Sequence, residues 1–418
     1  MSNNFTDPTQ FQIDTISIDG NDVIGLFSSI SIFENIYSPV ITGSIVIMDS
    51  DGARFIEEYD IEFIEEIEFS FKNANDETLE FKGFLNGMRN EMIKNQKKMY
   101  TIDFTSKAVR ENEKVFVTKR FNNVAPEDIA KEMVEKIGGT EDQWIGSGKP
   151  MSFLGTRKRP TKIIEYVLTH GVTEKSSASN KTNEREETTK GTTGFLCWET
   201  LDGHRFVDID TILDGGVGTK HEGFEPKLAN RSVSMEEAMK QVIEFKFDEI
   251  GDFQSKLRSG AFKNIVVSFD LDKGYYKEFV YDDTANMTEK QKEAAGDVPT
   301  RVMSRAYNNE MFENTCEKAQ DNKHDQSREC LSQNVVRQNT FNDQSGTFTL
   351  PPLFTIRAGD PFDVKIPKVD SEKGGGIDKK HSGTYIIKQV GHHFLSDGRA
   401  YTKITTVRST KQQDDATS

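Results

Sequence analysis

Residues 350–367 read LPPLFTIRAGDPFDVKIP, and residues 382–408 read SGTYIIKQVGHHFLSDGRAYTKITTVR. Apolar and polar residues alternate at Phe362, Val364 and Ile366 and again from 400 to 407, and this period of two is typical of strands. Asp397 followed by Gly398 predicts a tight hairpin turn, because such a turn needs positive φ. The C-terminus is therefore expected to form a small antiparallel sheet or barrel, without a pattern typical of a catalytic site.

The same alternation runs through residues 11–106. Residues 44–48 are apolar at almost every position, which predicts a strand in the middle of the sheet. Between 61–63 and 67–69 the alternation changes phase, which indicates a bulge or a corner. Short strands separated by turns predict a sandwich or a barrel for this region.

Two helices are predicted in the following segment, one beginning at Pro126 and ending before Gly138, the other beginning at Pro160 and ending at Gly171. Proline at the first helical position and glycine after the last one are typical helix boundaries. This segment is interpreted as a small mixed α/β unit.

Residues 173–194 have one alanine as their only apolar side chain, which predicts a mobile loop. Residues 195–209 then predict a hairpin with its turn at Asp202 and Gly203. Further along, the sequence predicts a capping box at 234–237, strands at 264–271 and 275–281, a loop at 283–300 and a weakly amphipathic helical region at 305–335.

The chain has 418 residues, which predicts two to four domains at roughly 100–200 residues each. Its formal net charge of −15 argues against a general nucleic-acid binder, which needs a basic stripe. We expect no signal peptide at the start and no membrane helix, since no stretch approaches about 20 apolar residues. Three cysteines without CxxC spacing favour a reducing compartment over disulfides or a zinc site.

No residue pattern predicts an enzyme, a cofactor site or a metal site. His392 and His393 are adjacent in a predicted strand and therefore point to opposite faces. The acidic run from 57 to 68 is interpreted as a solvated face rather than a glycosidase pair. There is no GxSxG elbow and no phosphate loop, and Cys197 is interpreted as a packing residue.

Other residues are interpreted as framework. Pro39 precedes the predicted central strand, where it would sit at a strand edge because it cannot donate to a ladder. Trp198 and Phe206 flank the 202–203 turn, and both are expected to face a barrel core.

In their order along the chain, these motifs resemble the baseplate hub proteins of contractile-tailed phages of the T-even type. More distantly, they resemble the late-control D proteins and the N-terminal half of the type VI secretion VgrG spike. The stretches that carry the resemblance are SPVITGSIVIMDSDG (38–52), KMYTIDFTSKAVREN (98–112), FLCWETLDGHRFVDID (195–210), GAFKNIVVSFDLDKGYYKEFVY (260–281), IRAGDPFDVKIP (356–367) and the two final strands.

The resemblance implies a mainly β fold with α+β insertions, made of two small antiparallel tube-type β-barrels and two mixed α/β domains. The implied units are a first barrel at 11–110, an α/β domain at 111–193, a second barrel from 194–233 with 341–410, a mixed insertion at 234–340 and a disordered tail at 411–418. The expected barrel framework residues are Pro39, Gly43, Asp49, Trp198, Gly203, Phe206, Gly359, Asp360, Gly383 and Gly398.

The resemblance also implies a function. Three copies would form a hub that joins a six-fold tail tube to a three-fold central spike and leaves a channel for DNA, without specific nucleic-acid binding. The implied partners are the spike, tube or tube-initiator proteins and wedge proteins. The implied location is the virion, after assembly in the host cytoplasm, with no enzymatic activity and no cofactor. The alternatives are a cell-wall hydrolase and a host-binding adhesin.

Overall fold

The computed structural model describes residues 5–49, 55–94, 97–173, 194–213, 215, 217–226, 233–249, 253–260, 262–270, 274–282, 289–296, 300–307, 344–368 and 376–408. The predicted mobile loop, apart from its end residues 173 and 194, lies outside these ranges, as does the predicted tail. The predicted loop at 283–300 and the helical region at 305–335 lie mostly outside them too. Where they are described, 289–295 is a helix and 301–307 is a strand instead.

The N-terminal region is almost entirely strand, as its alternation predicts. Its elements are β1 (Phe11–Ile18), β2 (Asn21–Asp22), β3 (Phe27–Asn35), β4 (Thr42–Asp49), α1 (Phe55–Glu58), β5 (Glu66–Asn73), β6 (Thr78–Lys94) and β7 (Lys97–Ser106). Strand β4 lies between β3 and β7, which confirms its predicted central position. The predicted corner is the loop before β5, where Phe63 has a φ of 64°.

The middle region is mixed. Its elements are α2 (Lys107–Lys114), β8 (Val117–Val124), α3 (Pro126–Lys136), β9 (Glu141–Trp144), β10 (Met151–Lys158), α4 (Pro160–His170), β11 (Phe195–Thr200), β12 (Gly203–Asp208) and α5 (Ile209–Leu213). Both predicted helices begin at their prolines. Their apolar faces pack on strands β8 and β10, in a core that includes Ile129, Met133 and Val167.

The remaining elements are β13 (His221–Pro226), α6 (Met235–Met239), β14 (Gln241–Val242), β15 (Glu244–Glu249), α7 (Phe253–Ser259), β16 (Lys263–Asp270), β17 (Tyr275–Asp282), α8 (Glu289–Ala295), β18 (Arg301–Tyr307), β19 (Gln344–Leu350), β20 (Pro361–Val364), β21 (Gly383–Leu395) and β22 (Ala400–Arg408). The predicted capping box opens α6, where Ser234 and Glu237 bond reciprocally. The two strands predicted at 264–271 and 275–281 correspond to β16 and β17, which pair antiparallel.

Fourteen strands form one sheet, in the order β14-β13-β20-β21-β3-β4-β7-β6-β5-β1-β2, with β22, β19 and β15 branching from β21. The fold is therefore mainly β, as predicted. Two separate closed barrels are not seen among the described strands, and no sheet closes. Strand β21 joins the two groups of strands into one sheet, because it pairs with β20 through its first half and with β3 through its second half.

The large sheet buries two apolar cores. One is built by β1 to β7 and also takes in Phe354 and Phe394 from the C-terminal region. The rings of Phe71 and Phe394 stack with centroids 4.0 Å apart, so the last strands complete the core of the first. The other core lies under β19 to β22 and includes Trp198 and Phe348.

The β11–β12 hairpin differs from its predicted role. It does not pair with the C-terminal strands; it forms a three-stranded sheet in which β12 runs parallel to β9. Trp198 points into the C-terminal core, whereas Phe206 packs with Phe195 in the α/β core. The expectation that both aromatic residues face one core is therefore wrong, because Trp198 and Phe206 lie on opposite faces of the hairpin.

Candidate functional site: a buried polar junction

Buried polar side chains meet where three parts of the chain come together. These parts are strands β3 and β4, the β11–β12 hairpin, and the loop that precedes β20. We call this cluster the junction, and define it by Glu34, Glu199, His204, Arg205, Arg357 and Asp360.

Glu34 joins all three parts. Its carboxylate is 1% exposed and accepts hydrogen bonds from the backbone N–H groups of Leu201 and Ala358, each at 2.9 Å. Burial raises the pKa of Glu34 to about 7, against the opposing effect of Arg357, whose Nε lies 4.0 Å away. A buried carboxylate with two amide donors fixes the relative positions of the segments that supply them.

Glu199 makes a second connection, from β11 to the first sheet. Its Oε2 accepts hydrogen bonds from the Ile41 backbone N–H at 2.8 Å and from the Ser106 hydroxyl at 2.5 Å. Burial raises the pKa of this carboxyl to about 7, and the charge of Glu34 acts in the same direction. Both acids thus hold the hairpin against strands β3, β4 and β7.

His204 adds a connection from β12. Its side chain is 1% exposed, and Nε2 lies 3.1 Å from the carbonyl oxygen of Pro39. Burial lowers the pKa of His204 to about 4, so the ring is neutral at pH 7. Because a carbonyl only accepts, Nε2 must carry the proton. The interaction is structural: a neutral donor that binds a backbone acceptor.

Arg205 connects the hairpin to the loop before β20. Its guanidinium contacts Asp142 at 2.5 Å, Asp360 at 2.7 Å and the Ala358 carbonyl at 3.1 Å. The other oxygen of Asp360 lies 3.0 Å from Nε2 of His221 on β13. A buried ion pair of this kind is costly to break, since removing one partner leaves an uncompensated charge.

Trp198 and Gly359 lie where the junction meets the C-terminal apolar core. The indole N–H of Trp198 donates to the Ala358 carbonyl at 2.9 Å. Gly359 has a φ of 94°, and a β-carbon there would lie 2.5 Å from Cζ2 of Trp198. Glycine is needed at this position for its backbone angle and for the close approach of the ring.

Of the predicted framework residues, Pro39, Trp198, Gly359 and Asp360 meet at the junction. The others lie elsewhere: Gly43 beneath the ring of Phe104, Asp49 where it accepts from the Phe55 N–H, Gly203 at the first position of β12, Phe206 in the α/β core, Gly383 at the first position of β21, and Gly398 in the predicted hairpin turn.

The sequence did not predict the other members of the junction, which are Glu34, Glu199, His204, Arg205 and Arg357. A signal for Glu34 exists, because period two places it on the same face as Ile30 and Ile32, which are fully buried. Arg205 is paired with Trp198 across the hairpin. Their side chains therefore lie on the same face, and both are buried.

Cys197, His392 and His393 do not form a catalytic site. Burial raises the pKa of the Cys197 thiol to about 12, which disfavours the thiolate. His392 is buried against Thr402, while His393 on the other face contacts Ser31. In the described ranges, no three His, Cys, Asp or Glu side chains are grouped to hold a metal ion.

The acidic run lies on an exposed surface, but not all of it is on strands. Glu57 and Glu58 belong to helix α1, Asp60 and Glu62 to the following loop, and only the last acids lie on β5. Elsewhere, a cleft of about 390 Å³ beside β13 contains Lys220 and Glu222, which pair with each other, and His221, which is hydrogen-bonded to Asp360. None of the described helices is long and apolar enough to cross a membrane.

No protein-family model matches the sequence, and no curated protein matches it. Solved structures do match. A 43 kDa tail protein of prophage MuSo2 from Shewanella oneidensis is 10% identical, with 95% of this chain and 98% of that chain covered and a TM-score of 0.52. A tail protein from Neisseria meningitidis MC58 is 9% identical, with 97% and 99% covered and the same TM-score.

A third structure, an Escherichia coli component of the type VI secretion system, is 9% identical and has a TM-score of 0.46, from which we infer nothing. At 9–10% identity the first two matches establish the fold and not the function. Along nearly its whole length, this chain has a fold similar to that of two tail proteins, one of them from a prophage.

Proposed function

We propose that this protein is a structural component of a phage-type tail, a trimeric baseplate hub without enzymatic activity. The observation that carries the proposal is the fold shared with two tail proteins over 95–97% of this chain and 98–99% of theirs. Coverage on both sides means that the whole architecture is shared, rather than one common domain.

The arrangement of the sheet supports a ring. Each chain has two apolar cores along one sheet, and three chains would place six such units around an axis. A ring of this kind has the six-fold character of a tail tube on one side and the three-fold symmetry of a spike on the other. On this proposal, the two cores correspond to the two barrel units expected from the sequence.

The junction gives such a ring a fixed angle between its units. Glu34 connects β3 to the hairpin turn and to the loop before β20, Glu199 connects the hairpin to Ile41 and Ser106, and Arg205 adds a buried ion pair. Every one of these groups is engaged in structural contacts, which suits a framework role better than a catalytic one.

The partners that follow are a central spike protein, tail-tube or tube-initiator proteins, and wedge proteins of the baseplate. DNA would pass through the channel without specific contacts, and the protein would act in the virion after assembly in the host cytoplasm. The net charge of −15 suits a channel from which DNA must be released.

Native mass spectrometry of the protein, alone and with the spike candidate encoded nearby, tests the proposal. Three copies of 47.3 kDa give a ring of about 142 kDa, and a three-to-three complex with the spike would support the hub even if the lone chain is monomeric. A monomer that does not bind the spike would contradict it. Peptidoglycan clearing and glycan binding would then test the hydrolase and adhesin alternatives.

A further inference from the structure

Two segments of this acidic chain contain no acid at all. Residues 114–126 and 147–164 have three and five basic residues respectively, and neither segment has an Asp or a Glu. They include strands β8 and β10, which pair antiparallel in a two-stranded sheet. In a protein with a net charge of −15, this sheet is a local exception.

One face of the sheet packs on the α/β core, and the opposite face is exposed. Phe121 and Phe153 are buried, whereas their neighbours Arg120 and Leu154 lie opposite each other on the exposed side. Leu154 is 57% exposed. We define the basic surface as Phe116, Lys119, Arg120, Leu154, Arg157 and Lys158.

An exposed aromatic ring lies within the basic surface. Phe116 is 51% exposed, and the guanidinium groups of Arg157 and Arg159 lie 5.3 and 4.8 Å from its ring centroid. Arg159 is bound by Glu113. Within the described ranges, no carboxylate pairs with Arg157 or Lys158, so both cations are free to bind a partner.

The same chain also has an exposed acidic surface, which is complementary in charge to the basic surface. Glu57, Glu58, Asp60 and Glu62 are exposed, and none of them has a cationic partner among the described residues. Beside them Ile64 is 58% exposed. We call these five residues the acidic segment.

Both surfaces lie beside helix α2. Arg110 donates to the carbonyl of Ile64 at 3.2 Å, while Phe116 follows the last turn of the helix. Among the described residues, neither Arg157 nor Lys158 pairs with an acid of the acidic segment. Each copy thus offers both halves of a contact that it does not form with itself.

We propose that the basic surface of one copy binds the acidic segment of the next copy, head to tail. The inference rests on the proposed ring and says which surfaces close it. A head-to-tail contact of this kind generates a closed ring when its rotation closes. Opposite charges would steer the encounter, and the exposed Phe116, Leu154 and Ile64 would become buried.

A second copy fits this surface better than a nucleic acid does. Phosphate binding relies on many cations along a groove, whereas Lys119 of the basic surface is already paired with Glu132. Exposed Phe116 and Leu154 would gain nothing from a phosphate backbone, whereas Ile64 on the acidic segment offers an apolar partner.

A charge swap tests the contact. We expect R157E/K158E and E57K/E58K each to weaken self-association by at least about tenfold, measured by analytical ultracentrifugation at physiological salt, and the four changes combined to restore it. K365E/K379E is the control, because it reverses two exposed cations elsewhere with the same change in net charge. Thermal unfolding of each variant checks that the fold is intact.

Other results would overturn the inference. Both double variants could assemble like the wild type, which would place the interface elsewhere and leave the hub proposal standing. A wild type that stays monomeric at all concentrations would remove the contact, while binding to the spike would still test the hub. Restored assembly without any binding of spike or tube proteins would keep the contact and reject the hub. DNA binding by a monomeric wild type that is lost in R157E/K158E would reassign the surface.

Discussion

The folded protein disfavours the ionised forms of Glu34 and Glu199. Each has a pKa raised from 4.5 to about 7 by burial. Between these values the native protein holds protons that the unfolded chain has released, so the free energy of unfolding falls as pH rises. Their contribution is fully present below about pH 4.5 and is lost as pH rises through 7.

Glu199→Gln should flatten this pH dependence. One amide oxygen can accept from both Ile41 and Ser106, so the variant keeps the hydrogen bonds but loses the charge. We expect the loss of stability between pH 5 and pH 8 to shrink by on the order of 3 kcal/mol, measured by urea unfolding. Glu135→Gln, on the exposed face of α3, is the control. An unchanged slope in Glu199→Gln would show that Glu199 is ionised in the folded protein.

Alanine substitutions at Gly359 and Gly398 allow the cost of backbone strain to be distinguished from the cost of steric overlap. Both have positive φ, but a β-carbon would overlap Trp198 at Gly359 and meet nothing within 4 Å at Gly398. We expect Gly398→Ala to cost about 1–2 kcal/mol and Gly359→Ala at least about 2 kcal/mol more, by thermal or denaturant unfolding. Equal costs would mean that the indole can move away, and that the close approach is unimportant.

At the scale of elements, the hairpin β11–β12 is held to the loop before β20 by the ion pair of Arg205 with Asp360. Both side chains are almost completely buried, at 4% and 2% exposure. Breaking a pair of this kind costs more than its net contribution, because one charge remains buried without compensation.

Arg205→Met should therefore be strongly destabilising, by about 3–5 kcal/mol in denaturant unfolding. The control is Arg89→Met, which removes an exposed ion pair with Asp103 on β6 and β7, and we expect a cost below about 1 kcal/mol. Asp360→Asn in the Arg205→Met background should restore part of the loss. If the two arginine variants cost the same, the junction ion pair does not hold the hairpin.

The strands were predictable because one face of each is buried, as in β3 and β4, where apolar residues alternate with polar ones. The helices were predictable from Pro126 and Pro160 at their starts. Which strands pair with each other was not predictable. The pairing of β21 with β3 joins residues more than 300 positions apart, and local periodicity carries no information about such a contact.

The junction was only partly predictable, for a related reason. Pro39, Trp198, Gly359 and Asp360 stand out as turn or aromatic residues, whereas Glu34 and Glu199 look like ordinary strand acids. Their burial follows from donors on distant segments, such as the Ala358 N–H for Glu34, and only the tertiary structure brings those donors together.

For the whole molecule, the shared strand β21 has a mechanical consequence. Because it contributes residues to both apolar cores, the cores cannot separate without breaking its ladder with β3 or with β20. A subunit that is rigid in this way can hold two units at one angle in a ring, as the proposed hub requires. The proposed hub is therefore expected to have three-fold symmetry.

Electron microscopy of the assembled protein, alone or bound to its spike, can determine this symmetry. We expect a ring of three chains with six lobes around an axial channel, because each chain contributes two units and cyclic oligomers close by rotation. Class averages with six lobes and a three-fold reconstruction would support the hub. A compact particle without a channel, or a two-fold assembly that leaves the spike unbound, would contradict it.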